Sequence, residues 1–151
     1  MNGDYIFLLI RLLLSHLITD FLLQKDRNID ESREKKWSSR WLYLYGAVAG
    51  LSAYIFAAQW DEWWILPAVA LGHVVTDGIR ARKKDTLLWF SLGQAAHILV
   101  LLPVWYMLLP SDTYGQFFHW IADVQISILI IAYVLQALPA GYVVGIANER
   151  W

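Results

Sequence analysis

The sequence predicts an all-α integral membrane bundle of five transmembrane helices, with the N-terminus outside and the C-terminus cytoplasmic. Three observations carry that expectation. Of the 151 residues, 58% are hydrophobic, with a mean hydropathy of +0.43, more apolar surface than a soluble chain of this length would bury. Five apolar runs approach the ~20 residues that a bilayer core requires. Charge is segregated along the chain, ten of the twelve Lys and Arg falling in two of the linkers between those runs. The whole chain, 1–151, reads as a single transmembrane domain. Its net charge of −1 gives no field for nucleic acid, and without cysteine there are no disulfides, thiolate metal sites or thiol redox chemistry.

The first span covers about residues 4–24 and carries Arg11, Ser15, His16, Thr19, Asp20 and Gln24. Asp4 is the only charge before it, so the positive region of a cleaved signal is missing and the segment reads as a retained span. His16, Asp20 and Gln24 recur every fourth residue, which aligns them on one helix face. Arg11 precedes His16 by five residues, a rotation of about 140°, and points elsewhere. It reads as a snorkelling cation or as a partner of Asp4 or Asp123.

Residues 25–40 form a charged cytoplasmic loop with Lys25, Arg27, Arg33, Lys35, Lys36 and Arg40 set against Asp26, Asp30, Glu31 and Glu34. The expectation there is a solvated linker with a short surface helix. The second span, about 41–58, holds no charge inside. Its Gly46 and Gly50 make a GxxxG, and Ala49 and Ala53 extend the small face, a pattern that lets helices approach closely in lipid. Trp60, Asp61, Glu62, Trp63 and Trp64 then make a tight acidic, aromatic turn.

The third span, about 63–79, is expected to kink at Pro67. It contains Gly72 and the stretch His73-Val74-Val75-Thr76-Asp77, and it ends at Arg80, Arg82, Lys83 and Lys84. Asp85 is a plausible N-cap for the fourth span, about 86–109. On it Gln94 and His97 share a face, Gly93 leaves room beside His97, and Pro103 lies in the outer half. Residues 110–123 contain no Lys or Arg and read as an outer interfacial segment, with His119 at headgroup level. The fifth span, about 124–147, carries Gln136, is loosened at Pro139 and Gly141, and repeats the small-residue packing spacing at Gly141 and Gly145.

Orientation follows from the basic residues. Placing 25–40 and 80–84 inside puts eleven of twelve Lys and Arg on the cytoplasmic side. The tryptophans fit two belts, with Trp60, Trp63, Trp64, Trp105 and Trp120 outside and Trp37, Trp41, Trp89 and Trp151 inside. The first and third spans then run in the same direction, so His16 and His73 reach similar depths, about 10–12 Å below the inner surface. Gln94 and His97 enter from that same side to a comparable level. Spans one–two and three–four look like a parallel repeat.

His16-Leu17-Ile18-Thr19-Asp20 and His73-Val74-Val75-Thr76-Asp77 are two copies of one pattern. Ionisable residues inside apolar spans are expensive and mark functional sites by default. His16, Asp20, His73, Asp77 and His97 could together hold a divalent metal such as Zn, Mn or Fe, with Gln94, Gln24, Thr19 and Thr76 around them. Such a metal, with water in an open position, could support hydrolysis. Two other readings stay open. Each histidine could donate to its own aspartate and glue helices together in a non-catalytic subunit of a membrane complex, or the groups could line a proton or ion path. The expected partners are the lipid bilayer and other membrane subunits or a second copy, with no nucleic acid.

Four stretches resemble a family of bacterial membrane proteins, domain-of-unknown-function family 3307. They are Ser15 to Gln24, Gly72 to Asp77, Gln94 to His97, and Leu138 to Gly145, in the family's order. Relatives often carry an acid just before the glutamine of the third stretch, where this chain has Gly93, and many carry a C-terminal extension. The resemblance implies a multi-pass protein of the bacterial inner membrane and supplies no activity.

Overall fold

A computed structural model describes residues 3–23, 26–84 and 86–110, with 128 and 132. The fold is all-α. Five helices appear among the described residues: α1 (Gly3–Leu17), α2 (Asp26–Lys35), α3 (Arg40–Ala57), α4 (Ile65–Arg80) and α5 (Leu87–Met107). α1 runs on into a π-helical turn at Ile18–Leu23, and a 3₁₀ turn at Lys36–Ser38 joins α2 to α3.

These are not the five predicted spans. The first four spans correspond to α1 with its π turn, α3, α4 and α5. The remaining helix, α2, is the surface helix expected in the charged linker, ten residues long. Its surface position is held by Glu31, which accepts from Lys35 Nζ and from Trp41 Nε1, both at 2.9 Å. The Lys35 ammonium holds the Glu31 carboxyl below its usual range. The fifth span, with Gln136, Gly141 and Gly145, is not described beyond Ile128 and Ala132, and the segment from 111 to 123, with His119, also lies outside the described residues.

Two stretches, Tyr5–Leu23 and Leu88–Met107, are long and apolar enough to cross a bilayer. α3 and α4 do not pass that measure. α4 has only 16 residues, and α3 is diluted by Arg40, Gly46, Gly50 and three tyrosines.

Local chemistry sets the helix ends. Ser39 caps α3 by accepting from the Trp41 backbone N–H at 3.3 Å. Thr86, not Asp85, caps α5 by accepting from Trp89 N–H at 3.4 Å. Pro67 causes no kink. With Trp64 as N-cap it sits in the first turn of α4, where a missing N–H costs nothing.

α1, α3, α4 and α5 pack as a four-sided bundle, α3 against α4 most closely. A Cβ on Gly50 would run into the Leu66 carbonyl and the Ala70 side chain, and one on Gly46 into Val74, so the GxxxG of α3 seats its backbone on α4. Gly72 does the same for α4 against Val100 of α5. Gly93 serves differently from expectation. Its bare surface takes the Arg80 stem, with Cδ 3.1 Å from where a Cβ would stand, and makes no space for His97.

The apolar core fills the half of the bundle toward Tyr5 and Leu109. Leu8, Leu9, Leu12 and Leu13 of α1 meet Ala53 and Ala57 of α3, Ile65 and Val69 of α4, and Leu101, Val104 and Trp105 of α5. Trp105, expected in an interfacial belt, is fully buried, and its Nε1–H donates to the Tyr5 carbonyl at 2.9 Å. Trp60 and Trp63 are exposed at that end, and Arg11 is exposed on α1. At the opposite end, Arg40, Arg80 and Lys83 lie over the rings of Trp41, Phe90 and Trp89. The polar residues of interest occupy the part of the bundle nearer this basic end.

Candidate metal centre

Three helices deliver the site. α1 places His16 one residue before its end, α4 places His73 and Asp77 one turn apart, and α5 places Gln94 and His97 on one face. His16, His73, His97 and Gln94 are each 5% exposed or less. The imidazoles meet across the helices as tilted and edge-on rings, at interplanar angles of 39° to 68°. Ring centroids are 4.4 Å apart for His73 and His97, 4.7 Å for His16 and His97, and 6.2 Å for His16 and His73.

Asp20 reaches all of them because of the π turn that carries it. At the end of α1 the Ser15 carbonyl accepts from the Thr19 hydroxyl at 2.9 Å and from Ser52 Oγ of α3 at 3.5 Å. Both compete with the ordinary backbone bond to that carbonyl and favour the wider turn. The wider turn swings Asp20 into the bundle. Its carboxylate lies 2.9 Å from His73 Nε2, 3.1 Å from Gln94 Nε2, 3.4 Å from His16 Nδ1 and 3.8 Å from His97 Nε2. Asp77, on regular helix, reaches His73 Nδ1 at 3.2 Å and His97 Nε2 at 3.3 Å.

The proton positions follow from these partners. A carboxylate only accepts, so His73 Nε2–H donates to Asp20. The Gln94 amide N–H donates to Asp20, which leaves its oxygen to accept from His16 Nε2–H at 3.2 Å. In this arrangement Nδ1 of His16 and of His73 each face the carboxylate one turn on. His73 Nδ1 is buried and has no aligned hydrogen bond, although Asp77 lies 3.2 Å away.

A cavity of about 10 Å³ opens among the rings, room for one water-sized body. It is lined by His16, His73 and His97 with Ser15, Ala49, Val69, Val100 and Leu101. One ligand atom from each histidine lies within 4.8 Å of the others. Tetrahedral coordination with Zn–N bonds of ~2.0–2.1 Å needs them about 3.4 Å apart, so an ion would draw the widest pair together by up to about 1.4 Å.

The predicted residues therefore divide. His16, His73, His97, Asp20, Asp77 and Gln94 come together. Thr19 is buried, but its hydroxyl serves the Ser15 carbonyl and not the cluster. Thr76 is half-buried on α4, and Gln24 lies outside the described residues. Sequence reasoning brought Asp20 together with His73 and His97 but assumed unbroken α-helix through it, and so missed the π turn at Ile18–Leu23. It also missed Ala49 as a wall of the cavity. The signal for the first was present in the hydroxyl pair Ser15 and Thr19, one turn apart.

The family model described as Protein of unknown function (DUF3307) matches residues 8–125, and the chain belongs to that family. The matched region contains every residue of the cluster. Neither a curated protein nor a solved structure matches the chain.

Proposed function

We propose that this DUF3307 protein is a membrane-embedded divalent-metal-binding protein, with His16, His73 and His97 as ligands and Asp20 and Asp77 as their partners. The carrying observation is the three-imidazole cluster itself, buried and with its ligand atoms within 4.8 Å. Two features support it. Asp20 and Asp77, with side chains 4% and 12% exposed, bring two negative charges into the interior, where unbalanced charge is costly. A dication with three neutral imidazoles balances them. The Nδ1 atoms of His16 and His73 already face Asp20 and Asp77. With a metal on Nε2, in place of the protons that His73 and His16 there donate to Asp20 and Gln94, each Nδ1 would carry the proton that its carboxylate accepts, the common carboxylate–histidine–metal relay. Zn, Fe and Mn are the candidates, with imidazole favouring the first two.

The bilayer placement rests on the two long apolar stretches and on the basic residues gathered at one end of the bundle. It makes the chain an inner-membrane protein with the cluster in its cytoplasmic half. Gln94 joins His16 to Asp20 and holds both in place. The cavity at the histidines admits no organic substrate, so the reading ends at metal binding and does not extend to hydrolysis. Leu9, Leu12, Val69, Leu101 and Val104 close the bundle beyond the histidines, which disfavours a through-going ion path.

A second reading has its own observation. The cross-helix bonds from His73 and Gln94 to Asp20, and from His97 to Asp77, would join α1, α4 and α5 as polar glue without any ion. Elemental analysis of purified protein, with His16→Ala and His73→Ala alongside, separates the two. Near-stoichiometric metal in the parent, lost in both folded variants, is the expected result. A metal-free parent whose variants only lose thermal stability would establish glue.

A further inference from the structure

At the seam between α4 and α5, Gly72 takes Val100 against its backbone. On α4, His73 lies about 100° to one side of Gly72 and Leu71 about 100° to the other. On α5, His97 and Leu99 likewise lie on opposite sides of Val100. The two histidine rings meet in the cluster, with centroids 4.4 Å apart, so Leu71 and Leu99 share the side of the seam that faces away from it. Leu71, Val75 and Ile79 continue down that side of α4, and Leu99, Leu92 and Leu88 down that side of α5. These side chains are 43–67% exposed. From Leu99 to Leu88 the apolar strip is about 16 Å long at 1.5 Å per residue, close to the ~15 Å depth of one leaflet's hydrocarbon, half of a ~30 Å core.

The strip ends at the basic turn after α4. Trp89, eleven residues before Val100, returns to the seam side of α5 after about three turns, and Lys83 holds its ammonium 4.6 Å from the centre of an indole ring that belongs to this residue. Arg82 and Lys84 are exposed in the same turn. None of these three cations pairs with a carboxylate among the described residues. Resting on the bilayer reading above, we infer that the outer side of the α4–α5 seam binds one anionic phospholipid of the cytoplasmic leaflet, with its phosphate at Lys83 and its acyl chains along the apolar strip. The indole face takes one side of the ammonium and leaves N–H donors for phosphate oxygens. A zwitterionic headgroup would bring a further cation to three that have no counter-charge, so the lipid is anionic. The strip beneath the charges is what distinguishes a lipid from a free phosphate or a nucleic acid, neither of which covers apolar surface.

Native mass spectrometry of the full chain in a neutral detergent reads the site, with phosphatidylglycerol and phosphatidylcholine of matched acyl chains as probes. One phosphatidylglycerol should be retained per chain, preferred over phosphatidylcholine by about tenfold or more. Lys83→Gln should cut that preference about fivefold, the weight of one cation beside an anionic headgroup. Lys36→Gln removes the same charge from the exposed turn before α3 and should leave the preference unchanged. Glycerol phosphate, which carries the headgroup charge without acyl chains, should not displace the lipid at equal concentration. Equal retention of the two lipids, equal losses in the two variants, or displacement by glycerol phosphate would overturn the site. Alkaline carbonate extraction of cell membranes keeps the two readings apart. A chain released by carbonate would remove the bilayer placement and this inference together, whereas one that needs detergent and then shows no lipid preference would overturn this inference alone.

Discussion

Two copies of one pattern, histidine four residues before aspartate, end in different geometry. On α4, His73 and Asp77 stay on regular helix, and Asp77 serves its own histidine and His97. On α1 the helix widens at Ile18, and Asp20 leaves the stacked position below His16 to contact all three imidazoles and Gln94. The residues before the histidines differ too. Ser15 turns its hydroxyl back to Leu12, while Gly72 leaves its place to Val100. Sequence repetition therefore does not imply structural equivalence. The α1 copy supplies the hub, and the α4 copy supplies the seam.

The largest expected effect tests that inequality directly. Asp20→Asn and Asp77→Asn remove the same charge, but the first weakens contacts to three ligands and the second to two. Partners of metal-bound histidines are each worth about 10–100-fold in affinity. Asp20→Asn should therefore cost about 100-fold or more in metal affinity and Asp77→Asn about tenfold, read by competition with a calibrated chelator. Equal losses would mean that the π turn confers no special role on Asp20.

A second test makes the copies alike at the preceding position. Gly72→Ser places a Cβ on both γ-methyls of Val100 and should destabilise the protein by about 1–3 kcal/mol through overpacking. Val100→Ala in the same chain should return most of that, because the obstacle is a side chain and not backbone. Ser15→Gly, the reverse exchange, should cost only about 0.5–1 kcal/mol for glycine inside a helix. Thermal unfolding in detergent measures all three. A Gly72→Ser protein as stable as its parent would place the α4–α5 seam elsewhere.

Much of this site was legible in the sequence because it depends on composition and depth. The apolar runs located four of the helices, and helix rise alone put His16, His73, Gln94 and His97 at one level. What sequence periodicity could not supply was a change of helix type, since a period fitted across Ile18–Leu23 assumes the regularity that fails there. The extent of the helix in the charged linker was harder to read. α2 is almost without apolar residues, and Glu31 finds its partner ten residues away at Trp41. Gly93 was misjudged because the long Arg80 side chain that covers it comes from another helix.

The smallest expected effect concerns why the α1 copy widens at all. Thr19 and Thr76 occupy the same place in their copies. Thr19 donates to the Ser15 carbonyl, which also takes Ser52 from α3. At the corresponding place α4 has the Gly72 backbone, packed against the methyl groups of Val100. If competition for the Ser15 carbonyl holds the π turn open, Thr19→Val should favour return toward regular helix and draw Asp20 away from His73 and Gln94. The stability cost should be about 0.5–1.5 kcal/mol, the size of one hydrogen bond. The change in metal affinity should exceed what a threonine outside the cluster would otherwise produce. Thr76→Val, with no widened turn to lose, should leave metal affinity unchanged. Metal titration of the two variants decides the matter: matched affinities would assign the π turn to packing around Phe21 and Phe90 and not to the threonine.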